Sequence, residues 1–210
     1  MQEEIDTRSR IIAAAMRLFA TKGYNSTSIA DILGQAGVNS GSLYHFFPGK
    51  QDLLLAVLAT YHEGIGPMLL QPAWSGVRDP IRRIFELLKR YRGLLLATEC
   101  TYGCPIGSLA LELHEPDPPV RSKLADNFGA WLDAVEQCLA DAAERLPART
   151  RLRDVAQFVL TTMEGGVMLA RTERDIAPFD ASVAQLRNYF RLLQAQRAEE
   201  RQRKTSKEKK

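Results

Sequence analysis

Disulfide scaffolds and metal centres need residues that this chain scarcely has, and a membrane span needs a long uninterrupted apolar run that it lacks. Its 210 residues include three cysteines and three histidines. Three cysteines build no disulfide framework and fit free thiols in a reducing compartment, so a cytoplasmic location is expected. Cys100 and Cys104 are spaced one helical turn apart with His114 further on. Pro105 breaks that turn and no fourth ligand follows at a suitable spacing, so neither a metal site nor any other cofactor is expected. No run reaches the roughly 18 uninterrupted apolar residues of a membrane helix, and no membrane partner is expected. The opening residues MQEEIDTRSR are acidic at the start and have no apolar segment, which argues against a secretory signal. A charge excess is lacking too. The net charge is +3, but the last fourteen residues hold seven basic and three acidic side chains, which leaves the rest of the chain at −1. Any surface that binds nucleic acid must therefore be local, because overall charge gives it no support.

What the chain does have is 45% apolar residues, enough for a sizeable core, arranged at helical spacing nearly throughout. No alternating strand pattern competes, and no internal repeat is visible. The expected fold class is all-α with about nine helices, divided into an N-terminal domain over 5–65, a C-terminal domain over 66–198 and a basic, disordered tail over 199–210. The first helix runs from Asp6 or Thr7 to Lys22 with Ile11, Ala15, Leu18 and Phe19 as its buried stripe, and Gly23 ends it. A helix from near Gly49 carries Leu53, Leu54, Val57, Leu58 and Tyr61, and is weakened by Gly64, Gly66 and Pro67. Residues 71–80 read as a loop. Asp79-Pro80 caps a helix over about 80–98. Further helices are expected over 105–114, 119–146, 149–172 and 181–198, with a loop over 175–180.

Residues 26–50, STSIADILGQAGVNSGSLYHFFPGK, are the most informative stretch. A hydroxyl of Ser26, Thr27 or Ser28 can cap a helix whose first turn holds Asp31, and Ile29, Ile32, Leu33 and Ala36 form its apolar stripe. Gly37 can take the left-handed conformation that ends it. Asn39 or Ser40 can start a second helix, about 28–47 enclosing the pair, with Leu43 and Phe47 inward and Pro48 as its stop. This is the layout of a helix-turn-helix presenting a short helix to the major groove, although an ordinary surface hairpin shows the same local signals. The outward residues are small, polar or aromatic with a polar tip, suited to phosphates and base edges. The expected DNA contacts are Thr27, Ser28, Asn39, Ser40, Gly41, Ser42, Tyr44, His45 and Lys50.

The order Thr7, Ile11, Ala14-Ala15, Leu18-Phe19, Gly23-Tyr24, Ser26-Thr27-Ser28-Ile29, Ile32, Ala36-Gly37-Val38, Gly41, Leu43-Tyr44, Phe46-Phe47, Lys50 and Leu53-Leu54 resembles the N-terminal domain of TetR-family regulators over about 60 residues without a gap. In many relatives an aromatic pair precedes His-Phe, whereas here the order is Tyr44-His45-Phe46-Phe47. The resemblance implies an all-helical homodimer that binds a palindromic double-stranded DNA operator and leaves it when a small-molecule inducer binds. It also implies a four-helix bundle of the last two helices of each chain. Those two segments carry wide apolar faces around Gly165-Gly166, and the expected interface is Val159, Met163, Gly166, Val167, Leu186, Phe190 and Leu193. The expected inducer pocket draws on Trp74, Phe85, Tyr102, Leu109, Phe128, Trp131 and Met163, with Tyr61, Tyr91 and Leu113. Gly103-Cys104-Pro105-Ile106-Gly107 resembles a Gly-Cys-x-x-Gly segment of one TetR-like branch, some members of which sense electrophiles through the cysteine. A helix N-terminus at Cys104 would stabilise its thiolate. A buried, inert Cys104 fits the same sequence. Two other functions stay open at this level: an enzyme using Cys104 with His114 as base, and a helical adaptor for another protein. Neither accounts for the exposed polar residues of 39–45, and no catalytic residues are expected.

Overall fold

The computed structural model describes residues 6–208; Ile5, where the expected N-terminal domain begins, and Lys209 and Lys210 of the expected tail lie outside the described residues. All regular structure among the described residues is helical. We number the helices α1 Thr7–Lys22, α2 Ile29–Ala36, α3 Ser40–Phe46, α4 Lys50–Trp74, α5 Pro80–Leu96, α6 Pro105–Glu112, α7 Pro118–Asp141, α8 Leu152–Glu173 and α9 Ala177–Glu208.

Three expectations about elements are corrected. The helix that starts at Lys50 does not stop at the glycines. It passes through a π-helical turn, Ile65–Leu70, into a further α turn, Gln71–Trp74, so the expected loop begins after Trp74. Pro67 falls within the π turn, where the i→i−4 bonding that a proline disrupts in an α-helix is replaced by longer-range i→i−5 bonding. Second, the loop before α9 is short. Arg174 closes α8 in the left-handed conformation at φ 54°, the Asp175 carboxylate accepts the Ala177 N–H at 3.0 Å, and Pro178 sits in the first turn of α9, where a missing N–H costs nothing. Third, the basic tail is helical. α9 continues to Glu208, Glu199 pairs with Arg203, and the guanidiniums of Arg197 and Arg201 donate to the Glu144 carbonyl at 3.1 and 2.7 Å. Alternating charges at spacings of three and four replace the apolar periodicity whose loss past Ala198 suggested disorder.

α4 is long and apolar enough, by length and composition, to cross a membrane, with mean hydropathy 1.4 over its most apolar 18 residues. Its first half spends that apolarity inside the protein, burying Leu53, Leu54, Val57 and Leu58.

The chain forms two compact units, and their limits differ from the expected domains. One joins the residues up to Ile65 with Tyr102–Gly129; the other joins Gly66–Thr101 with the residues from Ala130 onward. The expected boundary at 65/66 is thus half of the division. Segment 102–129 belongs with the N-terminal helices because Ile106, Leu109, Val120 and Leu124 share one core with Ile11, Leu18, Ile32, Leu43 and Leu54. In the second unit α9 packs along α8 and against α5, where the Phe85 and Phe190 rings meet edge to face at 5.4 Å. The helices α8 and α9 approach closely at Gly166, where a Cβ would lie 3.1 Å from the Phe179 ring and 3.3 Å from its Cα.

Two glycines should therefore respond oppositely. Gly93 is exposed in α5 with open space around it. Gly93→Ala should raise the unfolding free energy by about 0.5–1 kcal/mol through helix propensity. Gly166→Leu should lower it by about 1–3 kcal/mol by overpacking against Phe179. Urea unfolding of both variants checks the pair.

Candidate nucleic-acid interface

The expected recognition surface rests on two short helices, each held by a side-chain cap. Ser28 Oγ accepts the Asp31 N–H at 3.0 Å while the Asp31 carboxylate accepts the Ser28 N–H at 2.9 Å, a reciprocal capping box at the start of α2. Lys22 adds an ion pair to Asp31 at 3.0 Å. The Ser28 backbone N–H, then its hydroxyl, then Lys22 hold the Asp31 carboxyl well below the usual carboxylate range. A depressed carboxyl stabilises the fold above its unfolded-state range, and that contribution is lost as pH falls through its folded one. Gly37 ends α2 in the left-handed region at φ 63°, and Asn39 Oδ1 caps α3 by accepting the Ser42 N–H at 2.8 Å.

α3 buries Leu43, and Phe47 just beyond it is also buried beneath the Arg8 guanidinium. Ser40, Gly41, Tyr44 and His45 are left on the outer face with Asn39, and Tyr44 is 52% exposed. Phe46 is exposed as well and packs edge to face on His45 at 4.8 Å. Ser42 is half-buried, its hydroxyl donating to Asn39 Oδ1. Thr27 is the one expected contact that the structure removes. It is 1% exposed, and its hydroxyl donates to the Gly23 carbonyl at 2.6 Å, so it braces the α1–α2 turn from within. Lys50 is half-buried with its ammonium 4.2 Å from the centre of the Tyr24 ring; burial draws its pKa down and nearby Glu112 draws it up.

Two positioning residues escaped the sequence reading. The Arg10 guanidinium donates to the carbonyls of Ala36 at 2.7 Å and Gly37 at 3.0 Å, fixing the turn between α2 and α3 to α1. The Glu112 carboxylate, at the end of α6, accepts the N–H groups of Tyr24 at 2.8 Å and Asn25 at 2.7 Å. Their partners are 26 or more residues away in sequence, so no local pattern marks either residue.

The expected inducer-pocket residues are divided between the two units. In the first, Cys104 and Leu109 are core, with Tyr61, Leu113 and Phe128 packed against that core, while Tyr102 is exposed. Cys104 stands at the N-cap of α6, and His114 is exposed beyond that helix. In the second, Phe85, Tyr91, Trp131 and Met163 are buried, and the Trp74 indole donates to the Arg83 carbonyl at 3.0 Å. A cleft of about 340 Å³ between α5 and α9 is lined by Phe85 among Arg82, Lys89, Arg92 and Arg187, and takes in none of the other expected pocket residues. Asn127 Oδ1 and Trp131 Nε1, one turn apart, are buried atoms without a hydrogen-bond partner, although Asn127 Nδ2 donates to Leu58 and Lys123 carbonyls. Among the described residues no cluster of three or more His, Cys, Asp or Glu is placed to hold a metal ion. None of the three cysteines forms a disulfide, and all three are buried.

The expected dimer set is corrected as well. Val159, Met163, Gly166, Val167, Leu186 and Phe190 are buried within this one chain, and Leu193 is half-buried, because α8 and α9 turn those faces to each other and to α5. The exposed apolar side chains lie elsewhere on the same two helices: Phe158, Met168 and Leu169 on α8 and Leu192, 69% exposed, on α9. Phe158 meets half-buried Tyr189 edge to face at 5.2 Å, which joins the two stripes.

Comparison with known proteins agrees with this layout. Residues 11–57 match the model of bacterial regulatory proteins of the tetR family, and residues 80–185 match that of the LmrA/YxaF-like transcriptional regulator C-terminal domain. The chain is 32% identical over 186 residues to an HTH-type transcriptional regulator of Mycobacterium tuberculosis, covering 86% of this chain and 92% of that one. It is 25% identical over 175 residues to the HTH-type transcriptional repressor DhaR of a Mycobacterium species, 82% of this chain and 86% of DhaR. The crystal structure of a TetR transcriptional regulator from Chloroflexus aurantiacus superposes with a TM-score of 0.77 at 26% identity, covering 90% of this chain and 96% of that one.

The hinge between the two short helices should be measurably weak without its brace. Arg10→Met, which keeps the aliphatic stem and removes both donors, should lower stability by about 1–2 kcal/mol, and Ser28→Ala by about 1 kcal/mol. Equilibrium urea unfolding at neutral pH reads both losses.

Proposed function

We propose, on the footing that the chain belongs to the TetR family of bacterial regulatory proteins and is a DNA-binding transcriptional regulator, that it is a cytoplasmic homodimeric repressor released from a palindromic operator by a small-molecule inducer. The observation that carries the reading is the outer face of α3. Ser40, Gly41, Tyr44 and His45 stand clear of the core on a helix fixed by the Asn39 cap and the Arg10 brace. A face of small and polar-tipped groups on a rigid helix suits base edges and phosphates. The name of DhaR as a repressor supports repression over activation.

Homodimerisation is supported by the exposed stripe of Phe158, Met168, Leu169 and Leu192, an apolar surface on two adjacent helices that a second copy would cover. Gly165, with open space where its Cβ would be, leaves room for a partner helix at the middle of that stripe. Two recognition helices in such a dimer must sit about 34 Å apart to enter successive major grooves. Inducer binding is supported by Asn127 Oδ1: a ligand offering it a donor would satisfy a group that is costly to leave unmet. A ligand held there, or a modified Cys104, would favour a different tilt of α4 and with it a different separation of the recognition helices, lowering operator affinity by a population shift.

A gel-shift assay with DNA from upstream of the gene tests the reading. Wild-type protein should give a specific band at moderate salt, Tyr44→Ala should weaken it tenfold or more while remaining dimeric, and Leu192→Glu should shift the protein to monomer in sedimentation and abolish the band. A folded wild-type dimer that gives no specific band would overturn the repressor reading.

A further inference from the structure

We propose that Glu112 is a positioning residue for DNA recognition: its carboxylate, seated on the N–H groups of Tyr24 and Asn25, latches the helix capped by Cys104 to the turn from which the helix-turn-helix starts. The inference rests on the repressor reading and adds to it a specific mechanical contact.

The geometry is specific. The turn between α1 and α2 presents two successive N–H groups, Tyr24 and Asn25, in a direction that no backbone carbonyl fills. One oxygen of the Glu112 carboxylate takes each, at 2.8 and 2.7 Å. Consecutive N–H groups aimed at one anion form a concave cradle in which a carboxylate makes short, charge-assisted bonds. The approach is tight enough that the turn residue is glycine. Gly23 has φ 86°, and a Cβ there would stand 2.9 Å from Glu112 Oε1. The same turn is braced from inside by the Thr27 hydroxyl on the Gly23 carbonyl.

The turn also governs the cation expected to meet phosphate. Tyr24, whose N–H is held by Glu112, carries the Lys50 ammonium over its ring, and its ring packs edge to face on Phe19 at 5.2 Å. A shift of α6 along its axis would pull Glu112 off the turn, let Tyr24 rotate, and move Lys50 and the entry of α2 together. At its other end α6 is preceded by Cys104 at the N-cap, with Ile106 and Leu109 buried within the helix. A change at the N-terminus of α6 thus has an eight-residue rigid path to the start of the DNA-binding helices.

Glu112→Gln tests the latch. The amide keeps the shape, but loses the charge and puts an NH2 donor against one of the two N–H groups. With dimer and fold intact, the variant should bind operator at least tenfold more weakly. The dependence of log affinity on log salt should become shallower, because Lys50 no longer reaches its phosphate. Amide hydrogen exchange at Tyr24 and Asn25 should accelerate relative to wild type. An equal affinity overturns the proposal. So does a weaker affinity with unchanged salt slope and unchanged exchange, which would mean a general loss of stability. Should the variant fail to fold, exchange in the wild-type dimer decides: Tyr24 and Asn25 amides as fast as the exposed Ser26 amide would show that no latch exists. Failure of wild-type protein to bind the operator would strike instead at the repressor reading, whatever the exchange shows.

Discussion

Helices of seven and eight residues do not persist alone in water. Nucleation is unfavourable, and a run this short returns too few hydrogen bonds to offset it. Yet α2 and α3 have these lengths and must hold a recognition surface in place. Everything else in the first unit answers that constraint. Ile32, Leu43 and Phe47 bury one side of the pair against Ile11, Leu18 and Leu54, while Ser28, Asp31 and Asn39 satisfy N–H groups that short helices leave open in large proportion. Arg10 then ties the carbonyl end of α2 to α1, so both ends of the shorter elements are anchored outside themselves.

The same logic explains why chain order misdescribes the units. An N-terminal domain of three or four short helices has a small core. Segment 102–129 enlarges it with Ile106, Leu109, Val120 and Leu124, and supplies the Glu112 carboxylate to the turn at Tyr24 and Asn25. A fragment ending at Ile65 would leave those apolar faces and two N–H groups open.

What the sequence disclosed follows from how local each signal is. The hydroxyl cap before α2, Asp31 in its first turn, the left-handed Gly37, the cap at Asn39 or Ser40 and the outward Tyr44 all depend on residues within four positions, and each was readable. Arg10, Glu112 and the inward turn of Thr27 depend on tertiary partners or on which way a turn folds, and were not. The C-terminal tail misled for a related reason: loss of apolar periodicity past Ala198 removes the packing signal, but spaced pairs such as Glu199–Arg203 and the carbonyl of Glu144 keep the helix going.

The two long C-terminal helices show why an apolar list cannot name an interface. Both carry apolar residues around more than half of their circumference, so composition announces two faces without saying which is inside. Burial within one chain separates them. Met163, Val167, Leu186 and Phe190 close the core, and Phe158, Leu169 and Leu192 remain in water. Gly165 and Gly166 repeat the distinction one residue apart: Gly166 is needed for the close approach of Phe179, whereas Gly165 faces open space. Adjacent glycines on a helix point about 100° apart, so one admits the neighbour within the chain and the other leaves a gap on the outer stripe. In the proposed homodimer a net charge as small as this chain's gives that outer stripe its weight, since a single modest contact face on α3 would gain operator affinity chiefly by being present twice at a fixed spacing.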